Sequence, residues 1–493
     1  MSGRILLKLV QSDYLKLVLI VGLAFYLSFI PHYSYPYLVH LDEWIHLSCS
    51  NEIIKEAAAF GLTDPFKGGP PISNQLFEVG FHVYWAGFYL VSSIDWLGIF
   101  KYFPSIVFII TVLSVYILAK RQGFGWEAAL MTCLIPTTVG ILGPSFLVPV
   151  ALGLPFTTIS LFIAFYLRSW TSYGILFVLT LFLFSLHSAT AIGLILILIP
   201  YILLNLKDNL KHSIGITLAL AVPFLLAVLI VPGIKDILVI PTARSLLVPH
   251  SIPEYITIPN IVKTYGYIPI SLVLIGSFLL SIKGGRVPYG ILFGCLILLL
   301  MLAIYYTLGY GVSMMYYRGI QYVMLMMGII AGAGLMGIRK IRLPLWFSSR
   351  LKSPHITNNL GNILCIIIVG IMLYMAIPTR LQTIYYRMID DKDYQAFVWI
   401  RDNVSNGYKK AILDPWKGTA FTAVTGKNIY TWIGERPVKD DIEASKFLEE
   451  GCKDTAFLRE NDISIVYTKL DCENPDLVEV EENIYLLKQE LIP

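Results

Sequence analysis

The chain has 493 residues, 56% of them hydrophobic and only 14% charged, against roughly 25% charged in soluble domains. Mean hydropathy is +0.69 and the apolar residues come in long blocks, which excludes a wholly soluble fold. The net charge of +4 hides an asymmetry: residues 1–379 carry 22 Lys+Arg against 12 Asp+Glu, a net of +10, and residues 380–493 carry 15 against 21, a net of −6. A boundary near 380 therefore divides a membrane module, 1–379, from a soluble C-terminal domain, 380–493. The basic excess lies in short loops between apolar spans, so no nucleic-acid partner is implied.

In chain order, Arg4, Lys8 and Lys16 precede the apolar run Leu17 to Ile30. This resembles a signal anchor, and without a small-residue cleavage site it is expected to stay as the first span. Apolar runs long enough to cross a core about 30 Å thick follow, placing spans near 15–31, 103–119, 127–142, 148–167, 172–186, 188–204, 214–231, 268–282, 288–308, 319–337 and 360–378. Alternate short loops hold Lys120 and Arg121, Arg168, Lys207 and Lys211, Lys283 and Arg286, then Arg339, Lys340, Arg342, Arg350 and Lys352. Positive charge is retained in the cytoplasm, so the N-terminus is expected inside. About eleven spans then put the large first loop, 32–102, and the C-terminal domain outside.

Residues 79–94 within that loop are apolar but invert the charge pattern if counted as a span. They read as an interfacial or partly buried helix of that loop, with Tyr84, Trp85 and Tyr89 suiting the membrane boundary. In the tail, residues 390–403 repeat apolar positions at helical spacing, Lys409 to Pro415 reads as a strand, and 416–430 is turn-rich. An acidic helix near 440–460 and the strands Ile463 to Thr468 and Asn483 to Lys488 complete a small α/β domain. Cys133, Cys295 and Cys365 lie in spans as small hydrophobes, whereas Cys452 and Cys472 share the soluble tail and form a disulfide in an oxidising compartment if the fold brings them together.

The residues richest in chemistry are His40-Leu-Asp42-Glu43-Trp44-Ile-His46, just after the first span, followed by Ser48, Asn51 and Glu52. Adjacent carboxylates beside a membrane must be solvated, paired or bound to a ligand. On a helix, Asp42 and His46 share one face. The competing reading is an ordinary helix N-terminus, where Asp and Glu favour the dipole.

A first span followed by Asp-Glu and a His in the first outer loop, then amphipathic helices, resembles the GT-C superfamily of polyprenyl-phosphate-dependent glycosyltransferases. That superfamily includes oligosaccharyltransferase catalytic subunits, protein O-mannosyltransferases and lipid A aminoarabinose transferases. The resemblance continues through Tyr102-Phe103-Pro104, Lys120-Arg121 and Gly125, then Trp399-Ile-Arg401-Asp402-Asn403, Ile412-Leu-Asp414-Pro415-Trp416-Lys-Gly418 and Gly426-Lys-Asn-Ile-Tyr430. It implies a polytopic helical module, a lipid-phosphate sugar donor, and a glycan, lipid or protein acceptor.

Two departures stand out. Where oligosaccharyltransferases carry Trp-Trp-Asp-Tyr-Gly against the Asn acceptor, this chain has Asp414-Pro415-Trp416-Lys417-Gly418, with Trp416 as the implied substrate contact. Where they carry a second acidic metal motif, it has Leu142-Gly-Pro-Ser145 without a carboxylate, which leaves participation of Mg or Mn open.

An inverting transfer needs a base for the acceptor hydroxyl; Asp42 is the candidate, with Glu43 orienting it or the acceptor, and His46 binding nearby. The departing lipid phosphate needs a cation or oriented donors. Arg318, in Met314-Met-Tyr316-Tyr317-Arg318, suits this because its planar fork matches phosphate oxygens, although an interface anchor is an equal reading. Arg244, His250 and Lys263 in the 232–267 loop are weaker candidates. His187 is expected to be structural, and Gly328 to Gly337 to allow close helix packing. Two alternatives remain: oligosaccharyltransferase-like transfer of a pyrophosphate-linked glycan, and a transporter or lipid flippase, which would place polar groups near the midplane.

Overall fold

A computed structural model describes residues 12–72, 75–76, 78–135, 143, 145–230, 239–249, 265–311, 313–342, 354–382, 387–433 and 438–488. Its helices are α1 (Asp13–Phe29), α2 (Leu41–Glu56), α3 (Val79–Ser92), α4 (Trp96–Lys120), α5 (Gly125–Leu134), α6 (Pro149–Tyr166), α7 (Trp170–Leu186), α8 (Ser188–Asn205), α9 (Leu210–Ile230), α10 (Ile240–Leu247), α11 (Tyr267–Lys283), α12 (Arg286–Leu308), α13 (Ser313–Arg339) and α14 (Pro354–Gln382). The tail follows with α15 (Asp391–Asn403), β1 (Lys410–Ile412), α16 (Gly418–Thr425), β2 (Asn428–Ile429), α17 (Lys439–Glu449), α18 (Thr455–Glu460), β3 (Ile465–Tyr467), β4 (Leu477–Glu481) and β5 (Ile484–Leu487).

The chain is a polytopic helical membrane protein. Every apolar run expected to be a span contains a helix. Among the described residues, eight helices are long and apolar enough to cross a bilayer, and α7 and α11 are shorter apolar helices. The run at 127–142 begins as α5 and continues into 136–142, outside the described residues. Many side chains on these helices face outward: Leu225, Leu229, Phe278, Ile282, Ile366 and Tyr374 are all more than half exposed. Water would penalise such surfaces, but hydrocarbon does not.

Two compact units form. The first, Met1–Ser34 with Tyr102–Ile384, is the helix bundle. Its centre is α13, whose apolar stretch is 94% buried among α5, α11, α12 and α14. The glycines in 328–337 explain the fit. A Cβ at Gly332 would collide with Ala128 on α5, one at Gly334 with the Leu272 carbonyl on α11, and one at Gly276 with the Ile330 carbonyl. Small residues let helix backbones approach where lipid supplies no hydrophobic drive between them, as expected for this run. At one end, buried Glu127 pairs with Arg339 at 2.7 Å, and Trp126 is flanked by the cations of Lys16 and Arg339.

The second unit joins Tyr35–Lys101 to Tyr385–Pro493. The last long apolar helix, α14, ends at Gln382, but in three dimensions most of residues 32–102 packs with the tail. Its sheet runs β2-β1-β3-β5-β4, with β2, β1 and β3 parallel and β3, β5 and β4 antiparallel. α2 packs on α16; Asn51 Nδ2 donates to the Ala423 carbonyl at 3.2 Å, and the Ile429 N–H donates to the Phe66 carbonyl at 2.7 Å. Tyr35 OH donates to the Ile389 carbonyl and Tyr37 OH to Asp391, both at 2.8 Å.

The helix expected near 440–460 is two, α17 and α18, broken at Gly451, which has φ +76°. Between them Cys452 is bonded to Cys472. α3 is 14 residues long, about 21 Å at 1.5 Å per residue and too short to span. Trp85 is 1% exposed, in keeping with the partly buried alternative, and packs edge-on to Phe81, Tyr84 and Phe88.

Candidate functional site

His40 is the N-cap of α2. Its Nδ1 accepts the Asp42 N–H at 3.1 Å, and the Glu43 carboxylate reaches back to accept the N–H groups of Val39 at 3.0 Å and His40 at 3.2 Å. This is a reciprocal capping box, in which both sides satisfy helix donors that would otherwise lack partners. Its consequence is a division between the adjacent acids. Glu43 is fully buried with Oε2 committed to backbone, whereas the Asp42 side chain is 24% exposed, 4.0 Å from His40 Nδ1. Asp42 lies in the first turn, where the helix dipole favours an anion.

One turn on, His46 is 2% exposed. Its Nδ1 lies 3.0 Å from His82 Nε2 on α3 and 3.9 Å from Glu78 Oε2, and its ring meets Phe81 edge-on. Burial pushes the His82 pKa down to about 3. His82 and Glu78 were not singled out from the sequence; the only signal was a histidine inside an otherwise apolar run, Gly80-Phe-His82-Val-Tyr-Trp85.

The same unit holds Trp416, 45% exposed, on a 3-10 turn, Pro415–Lys417, capped by the Asp414 side chain. Lys417 turns inward. It donates to Asp393 Oδ1 at 2.9 Å, which also takes the Tyr467 hydroxyl at 2.6 Å and the Lys469 ammonium at 2.9 Å. Burial alone would raise the Asp393 pKa, but these donors outweigh it and hold the carboxyl at about 2. A cavity of about 310 Å³ beside it is lined by Asp414, Lys417, Tyr467 and Lys469, among others. A second cavity of about 410 Å³ lies between α2 and α16, with Asn51, Glu52, Asp64 and Arg401 in its wall.

In the bundle, Arg318 and Tyr322 lie four apart on α13 and share a face. Tyr322 OH is 2.9 Å from Thr190 Oγ1 and 3.4 Å from His187 Nδ1, and Thr190 is 2.7 Å from the same nitrogen. His187 is thus buried in a hydroxyl network that anchors α8 to α13. Arg244 is exposed on α10, while His250 and Lys263 lie outside the described residues. Among the described residues no group of three or more His, Cys, Asp or Glu side chains is placed to hold a metal ion.

No protein-family profile and no curated protein matches the chain by sequence. Solved structures do match. The chain is similar to the Archaeoglobus fulgidus oligosaccharyltransferase in the apo form, with a TM-score of 0.62 and 11% identity over 93% of this chain and 70% of that one. The same enzyme tethered with an acceptor peptide containing the NVT sequon gives 0.61 and 12% over 92% and 68%. ArnT from Cupriavidus metallidurans bound to undecaprenyl phosphate gives 0.56 and 11% over 95% and 97%. The chain therefore has the GT-C fold of polytopic membrane glycosyltransferases. At 11–12% identity it is the fold that the likeness carries.

Proposed function

We propose that this chain is a membrane glycosyltransferase that takes a sugar from a polyprenyl-phosphate carrier and passes it, with inversion, to an acceptor at the outer face. Two of its neighbours in fold support a lipid-linked donor: one is an oligosaccharyltransferase, and the other was crystallised with undecaprenyl phosphate. The observation that carries the reading is the division of the acid pair. Glu43 builds the N-terminus of α2 and leaves Asp42 as the partly exposed carboxylate.

In this scheme Asp42 takes the proton of the acceptor hydroxyl as its oxygen bonds to the anomeric carbon. The bond from that carbon to the phosphate oxygen breaks, and the electron pair leaves with the lipid phosphate. Arg318 is the proposed partner of that phosphate, its guanidinium fork pairing with two oxygens. With the N-terminus cytoplasmic, as the loop charges imply, this chemistry takes place outside. Trp416, exposed on its turn, is the proposed acceptor contact, and Arg244 a weaker donor contact.

The test is sugar transfer from a radiolabelled polyprenyl-phosphate donor in membranes. Asp42→Asn at parental expression is expected to lose about 10²- to 10⁴-fold in rate. An Asp42→Asn variant as fast as the parent would sink the assignment. Accumulation of the lipid-linked sugar across vesicles without any transfer would favour a flippase instead, and transfer only from a pyrophosphate-linked glycan would favour the oligosaccharyltransferase-like alternative.

A further inference from the structure

We propose that His82, on α3, holds His46 as a neutral imidazole with its proton on Nε2, making His46 a fixed hydrogen-bond donor on the face of α2 that carries Asp42. The geometry comes from one short contact and one orphan. His46 Nδ1 and His82 Nε2 are 3.0 Å apart, so one ring donates to the other. The remaining nitrogen of His82, Nδ1, is buried without a hydrogen-bond partner. Were the His82 proton on Nδ1, a buried N–H would have no acceptor; on Nε2 it makes the observed bond and leaves only a bare lone pair, the cheaper defect. His82 therefore donates, and His46 Nδ1 accepts.

His82 does not escape by taking a second proton, because burial drives its pKa down to about 3. His46 is then confined to the tautomer protonated on Nε2. The groups facing His46 pull in different directions. Glu78, at the N-cap of α3, lies 3.9 Å from Nδ1 and favours a charged imidazolium, as does Asp42 one turn back on α2. His82 opposes both by filling the Nδ1 lone pair. α16, the other helix packed on α2, has no ionisable side chain (Gly418–Thr425).

The consequence for chemistry rests on the reading of Asp42 as the base. A cation about 6 Å away on the same helix face would stabilise the carboxylate and weaken its basicity. A neutral donor orients without that loss. His82 is accordingly a positioning residue acting through His46.

The direct test is ring ¹⁵N spectroscopy of the histidine-labelled full chain in lipid nanodiscs, with His46 assigned by difference from His46→Gln. Expected are an unprotonated Nδ1 and a protonated Nε2 on His46, unchanged from pH 8 to 5. A proton on Nδ1, or titration of His46 near its ordinary pKa of about 6.5, overturns the proposal. In transfer assays His82→Gln, whose amide N–H can stand where Nε2 stood, should stay within about threefold of the parent. His82→Leu, lacking the donor, should lose about tenfold or more in kcat at pH 6 and recover towards pH 8, with KM little changed. Parental kcat and an unaltered pH profile in His82→Leu would equally overturn the positioning role. The spectra do not depend on activity, so failure of Asp42 as base, seen as an active Asp42→Asn, is told apart from failure here.

Discussion

Each of the two compact units is stabilised internally by different physics. In the bundle the contacts at the centre are between backbones: α13 meets α5 and α11 through Gly276, Gly332 and Gly334, and its charged pair, Glu127 with Arg339, sits at a helix end. In the other unit a buried carboxylate, Asp393, collects Tyr467, Lys417 and Lys469, a disulfide ties Cys452 to Cys472, and capping boxes start α2 and α15. Lipid tails are as apolar as Leu, so a bundle gains little from burying more apolar surface and relies on close approach. A water-facing unit of modest size gains from each satisfied polar network and crosslink.

Perturbing each kind of contact sharpens the contrast. The largest expected effect is Asp393→Ala, which leaves Lys417 and Lys469 without their buried counter-ion and should cost about 3–5 kcal/mol, read as a drop in the melting temperature of the detergent-solubilised chain. Its pH signature is fixed by sign. The folded pKa of about 2 lies below the ordinary 3.8, so the stabilisation is full above pH 4 and fades as pH falls towards 2; a parent-to-variant difference that grew on acidification would contradict this.

Next comes the disulfide. Closing a loop of 20 residues should contribute about 3 kcal/mol, so a thiol reductant should lower the melting temperature of the parent and leave a Cys452→Ser/Cys472→Ser double variant unmoved. Smaller again is Gly276→Leu, which forces α11 from α13 and should cost about 1–3 kcal/mol. If that variant melts like the parent, close packing is not what holds the bundle. The smallest is Glu43→Ala, about 1 kcal/mol through loss of the cap, while Glu43→Gln, which still accepts the two N–H groups, should be near neutral in the same measurement.

Much of the fold could be read ahead of the structure. Each apolar run contains a helix among the described residues because a helical span is specified by length and apolarity, which are local properties. Residues 79–94 hold a 14-residue helix, too short to span, as their charge context implied. The elements missed were those whose residues have weak preferences. α16 is written Gly-Thr-Ala-Phe-Thr-Ala-Val-Thr, a poor helix former that is helical where it packs on α2 and α15. β4 is a short, acidic edge strand with a bulge, and β2 has two residues.

By itself the amino-acid sequence determined the membrane character, the change of charge near 380 and the presence of an acid pair after the first span, because hydropathy and charge act residue by residue. Only the tertiary structure decided which of the two acids is a helix cap and which keeps an exposed face, that His46 meets His82, and that residues 35–101 pack with the tail. The last two outcomes depend on partners 36 to more than 350 positions away, and no local pattern records which distant group will fill a buried hydrogen bond.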